Sequence, residues 1–209
     1  MLALLVLASG ELEKSVSKLE AGGMVEKMAA GNAEAGELYK NRVVIGLSDP
    51  KSPTNVGAVM RAAGCYGVDQ VCYTGTRYDR AAKFTTDTHN ASQTIPLDGV
   101  ESFDQCVTAE MKVICVELVD GATSLPLFEH PTQALYIFGP EDGTLSQSII
   151  DQADAVVYVP TKGCMNLAAS VNVLLYDRLC KSGATGSNDL VLSSRDRNNT
   201  VRVNGDSSR

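Results

Sequence analysis

Short apolar-rich runs at Val43–Leu47, Val68–Tyr73, Val113–Leu118, Ala134–Phe138 and Ala155–Val159 constrain this chain more than any other feature. Each has the length of a strand buried on both faces, and helical patterns fall between them. Strands alternating with helices imply an α/β fold with a mostly parallel sheet and helices on both faces. Helices are predicted near Glu101–Val107, over Leu145–Gln152 and, longest, from about Asn166 to Cys180. After the first run, Ser48-Asp-Pro-Lys-Ser-Pro-Thr54 cannot be regular, because its prolines remove donors and push their predecessors out of helical geometry. Thr54 or Asn55 is placed to cap the helix that follows, and Gly64 or Gly67 to end it.

The last helix carries Leu167, Ala168, Ala169, Val171, Val173, Leu174, Leu175, Tyr176 and Leu179, with almost no polar face before Asp177 and Arg178. A helix apolar all round must be buried, inside the domain or against a second copy of the chain, and a homodimer is expected. With 209 residues, 44% apolar content and 5% aromatic content, the chain suits one compact domain over residues 41–183. Residues 1–40 read as a helical or flexible N-terminal extension, with Leu12, Val16 and Leu19 on one helix face and Gly22-Gly23 ending it. Residues 184–209 are rich in Gly, Ser, Asn and Asp and read as a disordered tail.

Six cysteines without a CxxC pair indicate neither a zinc site nor a disulfide frame, and His89 and His130 lack metal-ligand spacing, so no metal is expected. Leu2–Ala8 has no basic leader and is too short to span a bilayer, which makes a soluble, cytoplasmic protein the expectation, with no membrane partner. Between Asn41 and Gly183 stand 10 Lys and Arg against 16 Asp and Glu, an acidic balance that runs against nucleic-acid binding. The exception is local: Arg77, Arg80 and Lys83 cluster in the long segment Thr74–Ser92 and are candidate RNA contacts, beside the plainer reading of a solvated loop.

No G-x-G-x-x-G follows the first strand and no G-x-x-x-x-G-K-[ST] occurs, so ordinary dinucleotide and P-loop sites are excluded, and a hydrolytic triad lacks a Ser-His pairing. What remains is three segments, each just beyond a predicted strand: Asn55–Arg61, Phe138–Ser146 and Val159–Asn166. In an α/β fold that edge is where ligands bind. Arg61, on the first turns of a helix, can take a phosphate bidentately or form a surface ion pair. Glu141 can cap a helix, and Asn166 can cap the last one.

These segments resemble the three signature motifs of the SpoU/TrmH family of the SPOUT superfamily of AdoMet-dependent RNA methyltransferases, over about Val43–Lys181. The first is carried by Asn55, Arg61-Ala62 and Tyr66-Gly67, and the second by Phe138-Gly139, Glu141 and Leu145-Ser146. The third is carried by Pro160, Asn166 and Leu167, with Cys164 where the family usually has Ser. The resemblance implies a C-terminal trefoil knot and a homodimer whose site uses both subunits. It implies S-adenosyl-L-methionine bound by Glu117, Leu118, Gly139, Val159, Pro160, Cys164 and Met165, and catalysis by Arg61, Asn55, Glu141 and Asn166. The expected reaction is methyl transfer to a ribose 2′-hydroxyl of RNA, tRNA being favoured over rRNA. The alternative is a catalytically weak RNA-binding protein that keeps the knot as a scaffold.

Overall fold

The computed structural model describes residues 42–82 and 95–203; the N-terminal extension, Lys83 and His89 lie outside the described residues. In chain order the elements are β1 (Val43–Leu47), α1 (Pro53–Tyr66), β2 (Gln70–Tyr73), α2 (Arg77–Ala82), β3 (Leu97–Gly99), β4 (Lys112–Val116), β5 (Thr123–Ser124), β6 (Ala134–Phe138), α3 (Gln147–Gln152), β7 (Ala155–Tyr158), α4 (Leu167–Lys181) and α5 (Asn188–Ser194). Among the described residues the strands form one sheet in the order β3-β2-β1-β6-β4-β7-β5, and every pair is parallel. All strands therefore end at one edge, and the three motif segments leave from that edge after β1, β6 and β7.

The continuous apolar runs reflect burial on both faces. In β1, Val43, Ile45 and Leu47 pack with Val56, Val59, Met60 and Ala63 of α1 and with Val171, Leu174 and Leu175 of α4. Val44 faces the other side, with Phe103, Cys106, Leu135, Ile137 and Leu145. Each large aliphatic side chain so buried contributes about 1.5–3 kcal/mol. A side chain at Gly46 would stand 2.9 Å from the Phe103 ring, so the glycine makes room for the aromatic on that face.

Several boundaries differ from the sequence-based expectation, each for a local reason. Helix α1 is capped by Ser52, whose Oγ accepts the Asn55 N–H at 3.3 Å, with Pro53 as its first residue. It runs through Gly64 and ends at Gly67, whose φ of 66° suits a residue without a side chain. Glu101–Val107 contains a single 3-10 turn, Phe103–Cys106, in place of a helix. The strand expected over Val113–Leu118 stops at Val116; Glu117 still donates its N–H to the Val157 carbonyl of β7 at 2.9 Å, and Leu118 lies beyond it. Helix α2 forms in the segment read as a loop, and α5 forms where the tail composition suggested no regular structure. Helix α4 is not buried all round: Val173, Tyr176 and Leu179 are exposed.

Candidate active site

A cleft of about 190 Å³ opens at the C-terminal edge of β4, β6 and β7. Its floor and walls come from Glu117 and Leu118 after β4, Gly139–Glu141 and Gly143 after β6, and Val159, Thr161, Cys164 and Met165 after β7. Six of the seven residues assigned to the cofactor from the family motifs thus line one cleft; Pro160 is exposed and is not among the lining residues. Glu117 ties the floor together, since its carboxylate accepts the N–H of Leu118 at 2.9 Å and of Leu145 at 3.1 Å. Gly139 is held close: a Cβ there would lie 2.7 Å from Glu117 Oε2, so the backbone itself faces the cleft.

Glu141 connects this cleft to α1. Its Oε2 accepts the Lys51 N–H at 2.8 Å, and its Oε1 accepts the Ser52 N–H and the Asn55 side-chain amide, both at 3.1 Å. The carboxylate thereby binds the chain just before the N-terminus of α1, where backbone donors and the helix dipole favour an anion. Burial works against its charge, but the hydrogen bonds from Asn55, Lys51 and Ser52 prevail and hold the carboxyl below its ordinary value.

Asn55 is therefore placed beside Glu141, whereas Arg61 and Asn166 stand apart from the cleft lining. Arg61 is exposed on α1 and makes no hydrogen bond or ion pair among the described residues. Asn166 is the N-cap of α4, its Oδ1 accepting the Ala169 N–H at 2.7 Å. Of the basic residues read as RNA contacts, Arg80 is exposed, whereas Arg77 is engaged inside the protein: it pairs with Asp49 at 3.1 Å and Asp142 at 2.8 Å. Sequence reasoning missed these acidic partners, which are remote in the chain. It also missed Lys162, an exposed cation in the loop that carries Thr161 and Cys164.

The residues present fit AdoMet. Val116, Leu118, Val159, Met165 and Leu167 supply an apolar sheath, and backbone at Leu118, Gly139 and Val159 borders it. Among the described residues the lining includes two carboxylates, Glu117 and Glu141, and neither Lys nor Arg, a charge balance suited to a sulfonium cation.

A parallel α/β sheet with motif loops gathered over the C-terminal ends of its central strands defines the class, a fold that binds ligands at this edge. The SpoU rRNA methylase family model matches residues 42–176, and the chain belongs to that family. Among solved structures, one reported for the 2-OH methylation of C/U34 on tRNA is similar at 19% identity and a TM-score of 0.60, over 72% of this chain and 98% of that one. The A. aeolicus TrmH/SpoU tRNA modifying enzyme is similar at 15% identity and a TM-score of 0.58, over 74% and 86% of the two chains. The SpoU methyltransferase AviRb from Streptomyces viridochromogenes, in complex with the cofactor AdoMet, gives 16% identity and a TM-score of 0.56, over 69% of this chain. The chain spans 59% of the length of AviRb, and at these identities the likeness is one of fold. A search of curated proteins by sequence gives no significant match.

Proposed function

We propose that this chain is an AdoMet-dependent RNA methyltransferase acting on a ribose 2′-hydroxyl, with tRNA favoured over rRNA, and that it works as a homodimer in the cytoplasm. The observation that carries the reading is the Glu141–Asn55 hydrogen bond of 3.1 Å, which joins two family motifs across the sheet edge beside a cleft suited to the donor. The tRNA preference draws on the neighbour reported for C/U34 of tRNA, which is matched over 98% of its own length.

When bound, AdoMet supplies an activated methyl group on a cationic sulfur. The chain must then align a ribose hydroxyl with it and stabilise the charge that develops on that oxygen. Alignment of this kind is worth roughly 7–11 kcal/mol of barrier. An arginine keeps its proton in proteins, so Arg61 serves as a fixed cation that clamps the adjacent phosphate and favours the ionised hydroxyl; phosphate or water takes the proton. Glu141 and Asn55 orient the N-terminus of the helix that carries Arg61, and Asn166 and Cys164 border the substrate side.

Because Arg61 stands outside the cleft lining of its own protomer, the proposed dimer places it at the cleft of the partner. The exposed Val173, Tyr176 and Leu179 of α4 supply apolar surface for that association. The C-terminal segment is proposed to thread as the family's trefoil knot. An Arg61 without an ion pair among the described residues, on the same helix as the Asn55 that binds Glu141, favours the enzyme over a catalytically weak scaffold.

The test is methyl transfer from labelled AdoMet to tRNA and rRNA by the full chain, with calorimetric titration of AdoMet and mapping of the 2′-O-methylated nucleotide. A folded dimer that neither binds AdoMet nor labels RNA overturns the reading.

A further inference from the structure

Behind the cleft lies an arginine whose placement none of the three motifs accounts for. Arg77 opens α2, and its side chain reaches the loops that follow β1 and β6. Its Nε donates to the Asp49 carbonyl oxygen at 3.1 Å and lies at the same distance from the Asp49 carboxylate. Nη1 donates to Asp142 at 2.8 Å, and Nη2, buried and without a hydrogen-bond partner among the described residues, lies 3.9 Å from Glu141 Oε2. The backbone around these contacts takes unusual dihedrals. Asp49 adopts a φ of 42°, a region that non-glycine residues enter at a cost, and a side chain on Gly75 (φ 78°) would run into the Asp49 carboxylate.

We infer that Arg77 is a positioning residue for methyl transfer: by gripping Asp49 and Asp142 it fixes the loop 139–143, one wall of the cleft, in register with the start of α1, whose Lys51, Ser52 and Asn55 donate to Glu141. The inference rests on the cleft being the AdoMet site.

The two walls of the cleft are held very differently. Loop 139–143 is cross-linked through Glu141 and Asp142 to Lys51, Ser52, Asn55 and Arg77. Across from it, the hydrogen bonds of residues 160–165 among the described residues are local, from the Thr161 N–H to the Val159 carbonyl at 2.9 Å and from Thr161 Oγ1 to the Gly163 carbonyl at 2.6 Å. Arg77 thus adds to the long-range cross-links of the 139–143 wall, which the 160–165 wall lacks among the described residues. With its charge already met by Asp49 and Asp142, Arg77 has little attraction left for an RNA phosphate.

Steady-state methyl transfer by the full chain separates these roles. Arg77→Ala is expected to raise the KM and Kd for AdoMet about tenfold, the scale of coupling among contacting charged residues, and to leave the KM for RNA within about twofold. Arg77→Lys, which keeps the charge without the fork, restores part of the AdoMet affinity. Adding Asp142→Asn to Arg77→Ala costs less than Asp142→Asn does alone, because the Arg77 pair is already gone and only the exposed Lys51 pair is left to lose. If Arg77→Ala does not fold, Arg77→Lys and Asp142→Asn are expected to show a smaller rise in the same AdoMet constants. A variant series with unchanged AdoMet constants in an active enzyme overturns this inference alone, as does a raised KM for RNA with a shallower salt dependence. A wild-type protein that binds no AdoMet overturns the functional reading and this inference with it.

Discussion

The side-chain amide of Asn55 donates to Glu141 Oε1 at 3.1 Å, although 86 positions separate the two residues in the chain. The same carboxylate accepts the N–H groups of Lys51 and Ser52, so both oxygens face donors. In Glu141→Gln, either orientation of the new amide sets an NH2 group against a backbone N–H. The expected cost is about 1–3 kcal/mol of stability in denaturant unfolding, with a marked loss of methyl transfer. Unchanged stability would show that the carboxylate network does not anchor α1.

Arg61→Ala tests the fixed cation. The side chain is exposed and unpaired among the described residues, so its removal leaves no buried partner behind and should not change the unfolding midpoint. Turnover should fall by at least about 100-fold, the scale on which a single group that stabilises developing charge is felt. AdoMet affinity, measured by calorimetry, should stay within about twofold, because Arg61 does not line the cleft of its own protomer and, at the partner's, is proposed to clamp the RNA phosphate and not the donor. Normal turnover in this variant would remove the arginine from the mechanism.

The strands were readable in the sequence because burial on both faces leaves runs such as Ala134–Phe138 continuously apolar. The edge strands Leu97–Gly99 and Thr123–Ser124 were not, since three and two residues with polar members carry no pattern. Asn55 and Glu141 stood out through the family resemblance, but their bond follows from β1 lying beside β6, a neighbour relation that local spacing does not encode. Arg77 illustrates the same point in reverse: next to Arg80 it reads as part of a basic cluster, and only the fold brings Asp49 and Asp142 to it. Of the cluster formed by His130, Asp177 and Lys181, only the i,i+4 pair Asp177–Lys181 leaves a mark in the sequence.

Cys164 stands where the family usually carries serine, and it is exposed on the cleft wall. Cys72 and Cys115 are buried, and burial pushes both thiols up, Cys115 to about 11, which keeps them out of reaction with alkylating agents. Iodoacetamide should modify Cys164 along with the exposed Cys65 and Cys180; modification of Cys164 should block AdoMet binding, and saturating AdoMet should protect Cys164 but not the other two, as read by peptide mass spectrometry. Cys164→Ser should retain full AdoMet affinity and resist the block. Equal labelling of Cys164 with and without AdoMet would place the donor elsewhere.

The far end of the sheet supplies a pH dependence. His130 bridges Tyr136 OH through Nδ1 at 2.7 Å and Asp177 through Nε2 at 2.9 Å, and Asp177 also meets Lys181. Arg178 donates to the carbonyls of Pro131 and Thr132 and to Tyr136 OH, so this cluster fastens the last turns of α4 to the loop before β6. Burial pushes the His130 imidazole below its ordinary value; the hydrogen bond and charge of Asp177 pull it upward, and Arg178 and Lys181 add to the downward push. Between the ordinary value near 6.5 and the lower folded value, the unfolded chain takes up a proton that the folded protein declines. Stability should therefore fall as pH drops below about 6.5 and level off once the folded-state value is passed. His130→Gln should flatten that part of the pH profile in denaturant unfolding. A wild-type profile that rises on acidification through the same window would mean that Asp177 dominates and that the histidine is held protonated in the fold.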